Sequence, residues 1–139
     1  MAIKVRNTLN SNLLYVDYSK RGTIKRLLQN WKGLEAMSMR GDRVATCVLA
    51  DLKTVTGIDL DSYDPVNRES FNRGYEGGVL SYAQYMGVVY TMVLGYSQKD
   101  VAFMMGVDQS VVARNTARGV ARICKALTHI KGVYEDDEE

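Results

Sequence analysis

The chain has 139 residues, 46% of them hydrophobic, which is enough for one domain, or at most two small lobes, around a shared core. One proline, two cysteines and one histidine argue against a proline-rich linker, a disulfide framework and a metal site. The net charge of +2 conceals a segregation, because residues 1–40 and 96–134 are basic whereas residues 41–95 and 135–139 are acidic. No charged segment leads into an apolar one at the start, so no signal peptide is expected and a cytoplasmic protein is predicted.

Residues 1–18 mix polar and apolar types and predict an irregular arm or a short strand. From Ser19 onward, apolar residues recur at the spacing of a helix with one buried face. Basic residues occupy much of the remaining surface of this helix. The apolar face consists of Ile24, Leu27, Leu28, Trp31 and Leu34, and the basic face of Lys20, Arg21, Lys25, Arg26 and Lys32.

A second amphipathic helix is predicted after Gly41, with its apolar residues between Val44 and Val55. Gly57 is typical of the residue that follows a helix C-terminus. Both helices must bury their apolar faces on each other, on a third helix or on a second copy of the chain.

Five residues in helical segments of the chain bear on the extent of the core. Trp31, Met37 and Met39 are predicted to belong to the core, with a surface for a partner as the alternative. Cys47 and Cys124 lie far apart in helical contexts, and we interpret them as reduced cysteines of the core.

Residues 58–79 carry turn signals and are predicted to connect the two halves of the chain. Asp64 followed by Pro65 is typical of a helix start, which predicts a short helix as far as Asn72. The glycine pair at 77–78 lacks the lysine and the Ser or Thr of a phosphate-binding loop, so we interpret it as a connector.

The last third of the chain predicts three further helices, at residues 81–94, 97–105 and 108–130. The first is apolar enough to be buried, but its polar interruptions make it too short to span a membrane. Ser97, followed three residues later by Asp100, is the capping-box signature of a helix start. The second and third helices are separated by a tight turn, and this pattern predicts a helix-turn-helix.

The turn and the residues on either side of it indicate which positions of this helix-turn-helix face the core. Val101, Ala102 and Met105 are predicted to face inward, and the small side chain of Ala102 lets the next helix approach. Gly106 supplies the left-handed turn residue, and Val107 is expected to fill the corner. The predicted buried seam of the last helix is Val112, Thr116, Val120, Ile123, Leu127 and Ile130.

With these positions inward, Gln109, Ser110, Ala113 and Arg114 point outward near the start of the last helix, the end that enters the major groove in helix-turn-helix docking. Gln can pair with adenine and Arg with guanine, Ser can donate or accept, and Ala leaves room for a thymine methyl group. These four residues are the predicted base contacts of a sequence-specific DNA-binding protein.

Phosphate contacts are predicted on both helices of the motif. Arg114, Arg118 and Arg122 recur every four residues, so they form a stripe that drifts by only about 40° per step. The N–H groups that follow Ser97, together with Lys99, can hold a backbone phosphate at the start of the preceding helix.

The stretch YSQKDVAFMMGVDQSVVARNTARGVARICKAL resembles region 4 of sigma-70-type factors, which reads the −35 promoter element. With its helical N-terminal half, the chain is also similar to phage late-transcription regulators of the ArpU/RinA type. The resemblance implies activation of phage or prophage genes with host RNA polymerase, and phosphate contacts at Ser97, Gln98 and Arg118. Gln109 and Ser110 replace the usual Arg-Glu pair, which argues against the consensus −35 sequence as the target.

We therefore predict an all-α protein with a helical N-terminal half followed by a sigma region 4-like helix-turn-helix. Its predicted parts are an N-terminal arm at 1–18, a helical region at 19–79, a DNA-binding domain at 80–131 and an acidic disordered tail at 132–139. No constellation typical of an enzyme is found, and no cofactor and no membrane partner are predicted.

Two other functions stay open at this point. The protein could be an RNA polymerase-binding module that occupies the sigma docking surface, or a phage small terminase-type subunit that recognises the packaging site. It could form a homo-oligomer, and the basic face of the first helix could be a second DNA contact or a solvated surface.

Overall fold

The computed structural model describes the backbone of residues 2–4 and 15–138 and the side chains of residues 16–129. It confirms an all-α fold, to which a two-stranded ribbon is added, because β1 (Ala2–Lys4) pairs antiparallel with β2 (Tyr15–Asp17). Most of the predicted arm at 1–18 lies outside the described residues. The α-helices of the described chain are α1 Arg21–Gln29, α2 Trp31–Met39, α3 Arg43–Thr56, α4 Glu69–Asn72, α5 Tyr82–Val88, α6 Gln98–Met105 and α7 Gln109–Glu138.

The predicted first helix is in fact two helices, because the chain breaks between α1 and α2 at Asn30. This residue has φ −105° and ψ 26°, and its N–H bonds to the carbonyl groups of Arg26 and Leu27. Its side chain folds over Gly33, where a Cβ atom would collide with it. Asparagine favours such local conformations over the helix interior. The predicted apolar residues are nevertheless all buried: Ile24, Leu27, Leu28, Trp31 and Leu34.

Helix α3 has the start and the end that the sequence predicts. The Asp42 carboxylate accepts the N–H groups of Val44 and Ala45 at 3.0 and 3.1 Å, which satisfies two donors of the first turn. Gly57 has φ 78°, the left-handed conformation that ends many helices. The apolar face between Val44 and Val55 is buried.

The connector after α3 differs from the predicted helix at 65–72. The Asp64 carboxylate accepts the N–H of Val66 at 2.9 Å, and this local turn delays the helix until Glu69. Short 3-10 turns lie on either side of α4, at Leu60–Ser62 and Arg73–Gly77.

One hydrophobic core extends through the described chain from Val16 to Leu127, so residues 19–79 and 80–131 share it. Glycines let α5 and α7 approach closely within this core. A Cβ atom at Gly119 would lie 2.7 Å from Val88, and one at Gly87 would meet the hydroxyl of Thr116. Beyond α5 the chain continues as a π-helical turn, Val89–Val93, which completes the predicted helix at 81–94.

Helix α7 continues to Glu138, whereas the sequence predicted an end near Ile130 and a disordered tail at 132–139. This segment contains no proline, so no residue in it prevents a helical backbone. The side chains after residue 129 lie outside the described residues.

The tryptophan, the two methionines and the two cysteines that were expected in the core divide between the core and the surface. Trp31 is fully buried and Met37 packs against the core, whereas Met39 is 88% exposed. Cys124 is buried, but the prediction for Cys47 is wrong, because this residue is exposed. It lies beside the buried face of α3 and points away from it.

Candidate nucleic-acid interface

The two helices of the predicted motif are α6 and α7, and the turn between them has the predicted geometry. The Ser97 hydroxyl accepts the N–H of Asp100 at 3.0 Å, which is one of the two hydrogen bonds of the predicted capping box. Gly106 has φ 67° and ψ 36°, the left-handed conformation, and the N–H of Val107 donates to the carbonyl of Ala102 at 3.1 Å. Helix α7 then starts at Gln109.

The inward side of the motif is largely as predicted. Val101 and Ala102 are buried and Met105 packs against the core. The prediction for Val107 is wrong, because this side chain is 38% exposed and the corner is closed by the backbone hydrogen bond instead. The seam of α7 is buried at Val112, Thr116, Val120, Ile123 and Leu127, and the side chain of Ile130 lies outside the described residues.

The outward side of α7 carries the predicted base contacts. Gln109, Ser110 and Arg114 are exposed within the first turn and a half of the helix. Ala113 is half-buried, because it lies between the outward face and the buried seam. Three of the four side chains are therefore accessible to a ligand in this position, and Ala113 lies at its edge.

The cations of α7 lie farther along the same helix. Arg118 is exposed, and residues 109–129 contain no acidic side chain at all. Arg122 is exposed but turned toward α5, where its Nη1 atom donates a long, 3.4 Å hydrogen bond to the Gln84 side chain. In the part of the chain with described side chains, no carboxylate pairs with Arg114 or Arg118.

One further cation belongs to this stripe and was missed in the sequence. Lys125 is exposed and follows Arg114 by eleven residues, which is about three helical turns. The eleven-residue spacing indicates that Lys125 lies on the same side of the helix as Arg114. A four-residue repeat instead drifts around the helix toward Arg122. We call Arg114, Arg118 and Lys125 the α7 stripe.

The start of α6, the second predicted phosphate site, is electrostatically mixed. Ser97 and Lys99 are exposed and Gln98 is half-buried, but the exposed Asp100 also lies in this first turn. Any attraction for phosphate here depends on the backbone N–H groups and Lys99, because the carboxylate opposes it.

A cluster around Arg68 ties the connector to the helix-turn-helix. The guanidinium carbon lies 5.5 to 5.8 Å from the ring centroids of Tyr63, Tyr90 and Tyr96. The Nη2 atom donates to the Tyr96 hydroxyl at 3.1 Å, and Nη1 lies 3.3 Å from the sulfur of Met104 on α6. No sequence pattern predicts this cluster, because its members are far apart along the chain.

Aromatic packing continues from this cluster into the core. Phe71 of α4 packs edge-on against Tyr63 and Tyr90, and the Tyr85 hydroxyl donates to the carbonyl of Phe71 at 2.6 Å. Burial raises the pKa of the Tyr85 hydroxyl, which therefore stays protonated and available as a donor. These contacts attach the connector to α5 and to the π-helical turn that follows it.

Next to the turn, α6 exposes apolar side chains. Phe103 is 90% exposed, and Met104 and Val107 are each exposed by nearly two fifths. These side chains leave an apolar surface exposed beside the start of α7.

The described residues were also compared with what a metal site, a membrane-spanning helix or a ligand pocket requires. Among the side chains of residues 16–129, no group of three or more His, Cys, Asp or Glu residues is placed to hold a metal ion. Within the same part of the chain, no helix has the length and apolarity needed to cross a membrane. The open grooves beside α4 are lined by Glu69, Arg73 and Glu76, and the last two form an exposed ion pair at 3.3 Å.

Comparison with known proteins gives no match to a family model, to a curated protein or to a solved structure.

Proposed function

We propose that this protein is a sequence-specific DNA-binding transcription regulator that acts with host RNA polymerase on phage or prophage genes. The observation that carries the proposal is the contrast between the two sides of α7. As far as residue 129, where the described side chains end, one side is buried, and the other presents Gln109, Ser110 and Arg114 to solvent at the helix start, followed by cations without carboxylate partners.

In this proposal the N-terminal end of α7 enters the major groove and reads bases. Arg114 donates two hydrogen bonds to guanine, and Gln109 pairs with adenine through its amide. Ser110 supplies a hydroxyl, and Ala113 at the edge of the face contacts a thymine methyl group. Each bidentate pair is expected to discriminate against a wrong base by about 1–3 kcal/mol.

The backbone of the duplex is held by charge. Arg118 and Lys125 follow the phosphates as α7 leaves the groove, and the start of α6 contributes its N–H groups with Lys99. Such contacts position the protein without sequence information, and they make the affinity fall with rising salt concentration.

The dependence on polymerase follows from what this motif can do. A helix-turn-helix binds an intact duplex through its grooves and phosphates, and these contacts do not open base pairs. We therefore expect a regulator that recruits or redirects a polymerase which already has a promoter-melting activity.

The first test is a selection of duplexes from a random pool with the full chain. We expect an enriched motif that Arg114→Ala relaxes at one base position. An Arg73→Ala variant is the matched control, because Arg73 is exposed and paired with Glu76 away from α7. The absence of any enriched motif with wild-type protein would contradict sequence-specific binding.

The second test is transcription in vitro from the selected target. Transcripts and permanganate-reactive open DNA are expected with holoenzyme and not with core polymerase alone. Strong specific transcription from core polymerase plus this protein would contradict the proposed mechanism. Capture of polymerase without affinity for DNA would support the polymerase-binding module instead, and a ring-shaped assembly in solution would support a packaging subunit.

A further inference from the structure

A second positively charged surface lies on α1. Arg21, Lys25 and Arg26 are exposed on this helix, as are Lys20 just before it and Lys32 just after it. The sequence between Tyr18 and Leu34 contains no acidic residue. Among the described side chains, no carboxylate forms an ion pair with these five cations. This surface is therefore strongly basic and unneutralised.

The position of α1 connects this surface to the candidate interface. Helix α1 packs against α7, and the Arg21 guanidinium is near Cys124. Burial raises the pKa of the Cys124 thiol, and the positive charge of Arg21 opposes part of that rise. Lys125 of the α7 stripe directly follows Cys124 and is exposed. The cations of α1 thus begin where the α7 stripe ends.

We propose that the exposed cations of α1 bind the phosphates of duplex DNA next to the site that α7 reads. This inference rests on the proposed function. Cys124 follows the first residue of α7 by fifteen positions, which is about 22 Å along the helix. That distance separates the α1 surface from the base-reading end of α7. The α1 surface would therefore contact flanking DNA beyond the bases that α7 reads.

The character of the surface favours DNA over a lipid membrane. Helices that insert into a membrane surface combine basic residues with exposed large apolar ones. None of the exposed large apolar residues among the described side chains lies on α1. The acidic residue nearest the helix start, Asp17, accepts hydrogen bonds from the N–H and hydroxyl of Ser19, and at Cys124 its negative charge opposes the positive charge of Arg21. A surface of charge alone fits a polyphosphate backbone.

The test compares the salt dependence of binding to two duplexes that carry the selected site, a short one that ends at the edge of that site and a long one extended by about 10 base pairs on either side. The site fixes the register of α7, so the short duplex has no flanking phosphates for α1. The long duplex supplies them. With the long duplex, Arg21→Gln/Lys25→Gln is expected to lower the slope of log K against log salt by about two units. With the short duplex the slope should not change.

Two matched variants accompany this test. Arg43→Gln/Lys53→Gln removes the same charge from exposed positions of α3 and should leave both slopes unchanged. Arg21→Lys/Lys25→Arg keeps the charge and should keep the wild-type slope. An equal decrease with the α3 variant would mean that overall charge is responsible, which would overturn the inference.

The outcome also separates this inference from the proposed function. If Arg118→Gln lowers the slope on both duplexes while the α1 variant changes neither, α1 is a solvated surface and the function of α7 stands. If wild-type protein binds neither duplex at low salt, the proposed function fails and the inference fails with it.

Discussion

Two regions of this molecule use arginine in opposite ways. In the connector, Arg68 lies among three tyrosine rings and contacts Met104, so its charge is used inside the protein. On α7, Arg114 and Arg118 are exposed and no described carboxylate pairs with them. The first arrangement stabilises a fold and the second leaves a charge available for a partner.

The proposed binding side of α7 and the connector differ in the contacts that their polar groups make. The connector is fixed by aromatic contacts and by close backbone approaches, such as that of Gly57 to Gly74. Among the described side chains of α7, up to residue 129, the outer side has no such contact except the long hydrogen bond of Arg122. We therefore expect mutations in the connector to change stability, and mutations on α7 to change binding.

The largest expected effect concerns two glycines in the left-handed conformation. A Cβ atom at Gly106 has open space around it, whereas one at Gly57 would meet the backbone carbonyl of Gly74. Gly106→Ala should lower the free energy of unfolding by about 1–2 kcal/mol through backbone strain. Gly57→Ala should lower it by about 1–3 kcal/mol more, because overpacking is added to the strain. Urea unfolding of both variants measures this difference, and equal losses would show that the connector is not tightly held.

Replacing one arginine of each region by alanine tests whether the two regions have separate roles. Arg114→Ala should cost about 1–3 kcal/mol of specific binding and change the free energy of unfolding by less than about 0.5 kcal/mol. Arg68→Ala should lower the free energy of unfolding by about 1–2 kcal/mol through lost cation–π contacts and hydrogen bonds, with base preference kept. Binding to the selected duplex and its single-base variants, together with urea unfolding, checks both. Loss of base preference with Arg68→Ala would contradict the assignment of Arg68 to stability and of Arg114 to binding.

Within α7, Arg118 and Arg122 are expected to contribute differently to phosphate binding. Arg118→Gln should reduce the slope of log K against log salt by about one unit, because one phosphate contact is lost. Arg122→Gln should reduce it less, since Arg122 is turned toward Gln84. Titration at several salt concentrations measures both slopes. Equal reductions would mean that Arg122 leaves Gln84 for a phosphate when DNA is bound.

The smallest effect is expected at the end of the chain. Deleting Glu135–Glu139 removes five negative charges, which should raise affinity for random duplex at low salt by less than about 1 kcal/mol. Replacing the five residues with glutamine is the matched control, because it removes charge and keeps the length. If the deletion raises the affinity and the glutamine variant does not, charge is not the cause.

The parts of the fold that local chemistry determines were predictable from sequence. The cap at Ser97, the left-handed turn at Gly106 and the glycine after α3 depend on neighbouring residues only, and all three are present. The buried seam of α7 follows from helical periodicity, which repeats over enough turns to be unambiguous.

The remainder depends on tertiary contacts that no local pattern carries. The Arg68 cluster unites residues from the connector, the π-helical turn, the following loop and α6. The exposure of Val107, the half-buried state of Ala113 and the contact of Arg122 with Gln84 depend on how closely α5, α6 and α7 pack. The site could thus be located from sequence to one end of one helix, but not resolved side chain by side chain.

The burial of Trp31 gives this protein a built-in optical reporter. It is the only tryptophan of the chain, it is fully buried on α2, and its indole N–H finds no acceptor among the described residues. An indole in such dry surroundings emits at shorter wavelength than one in water, so unfolding should shift the fluorescence to the red. Docking of DNA on α7 should leave the emission maximum in place. A single unlabelled sample can therefore tell whether a variant that has lost binding has also lost its fold.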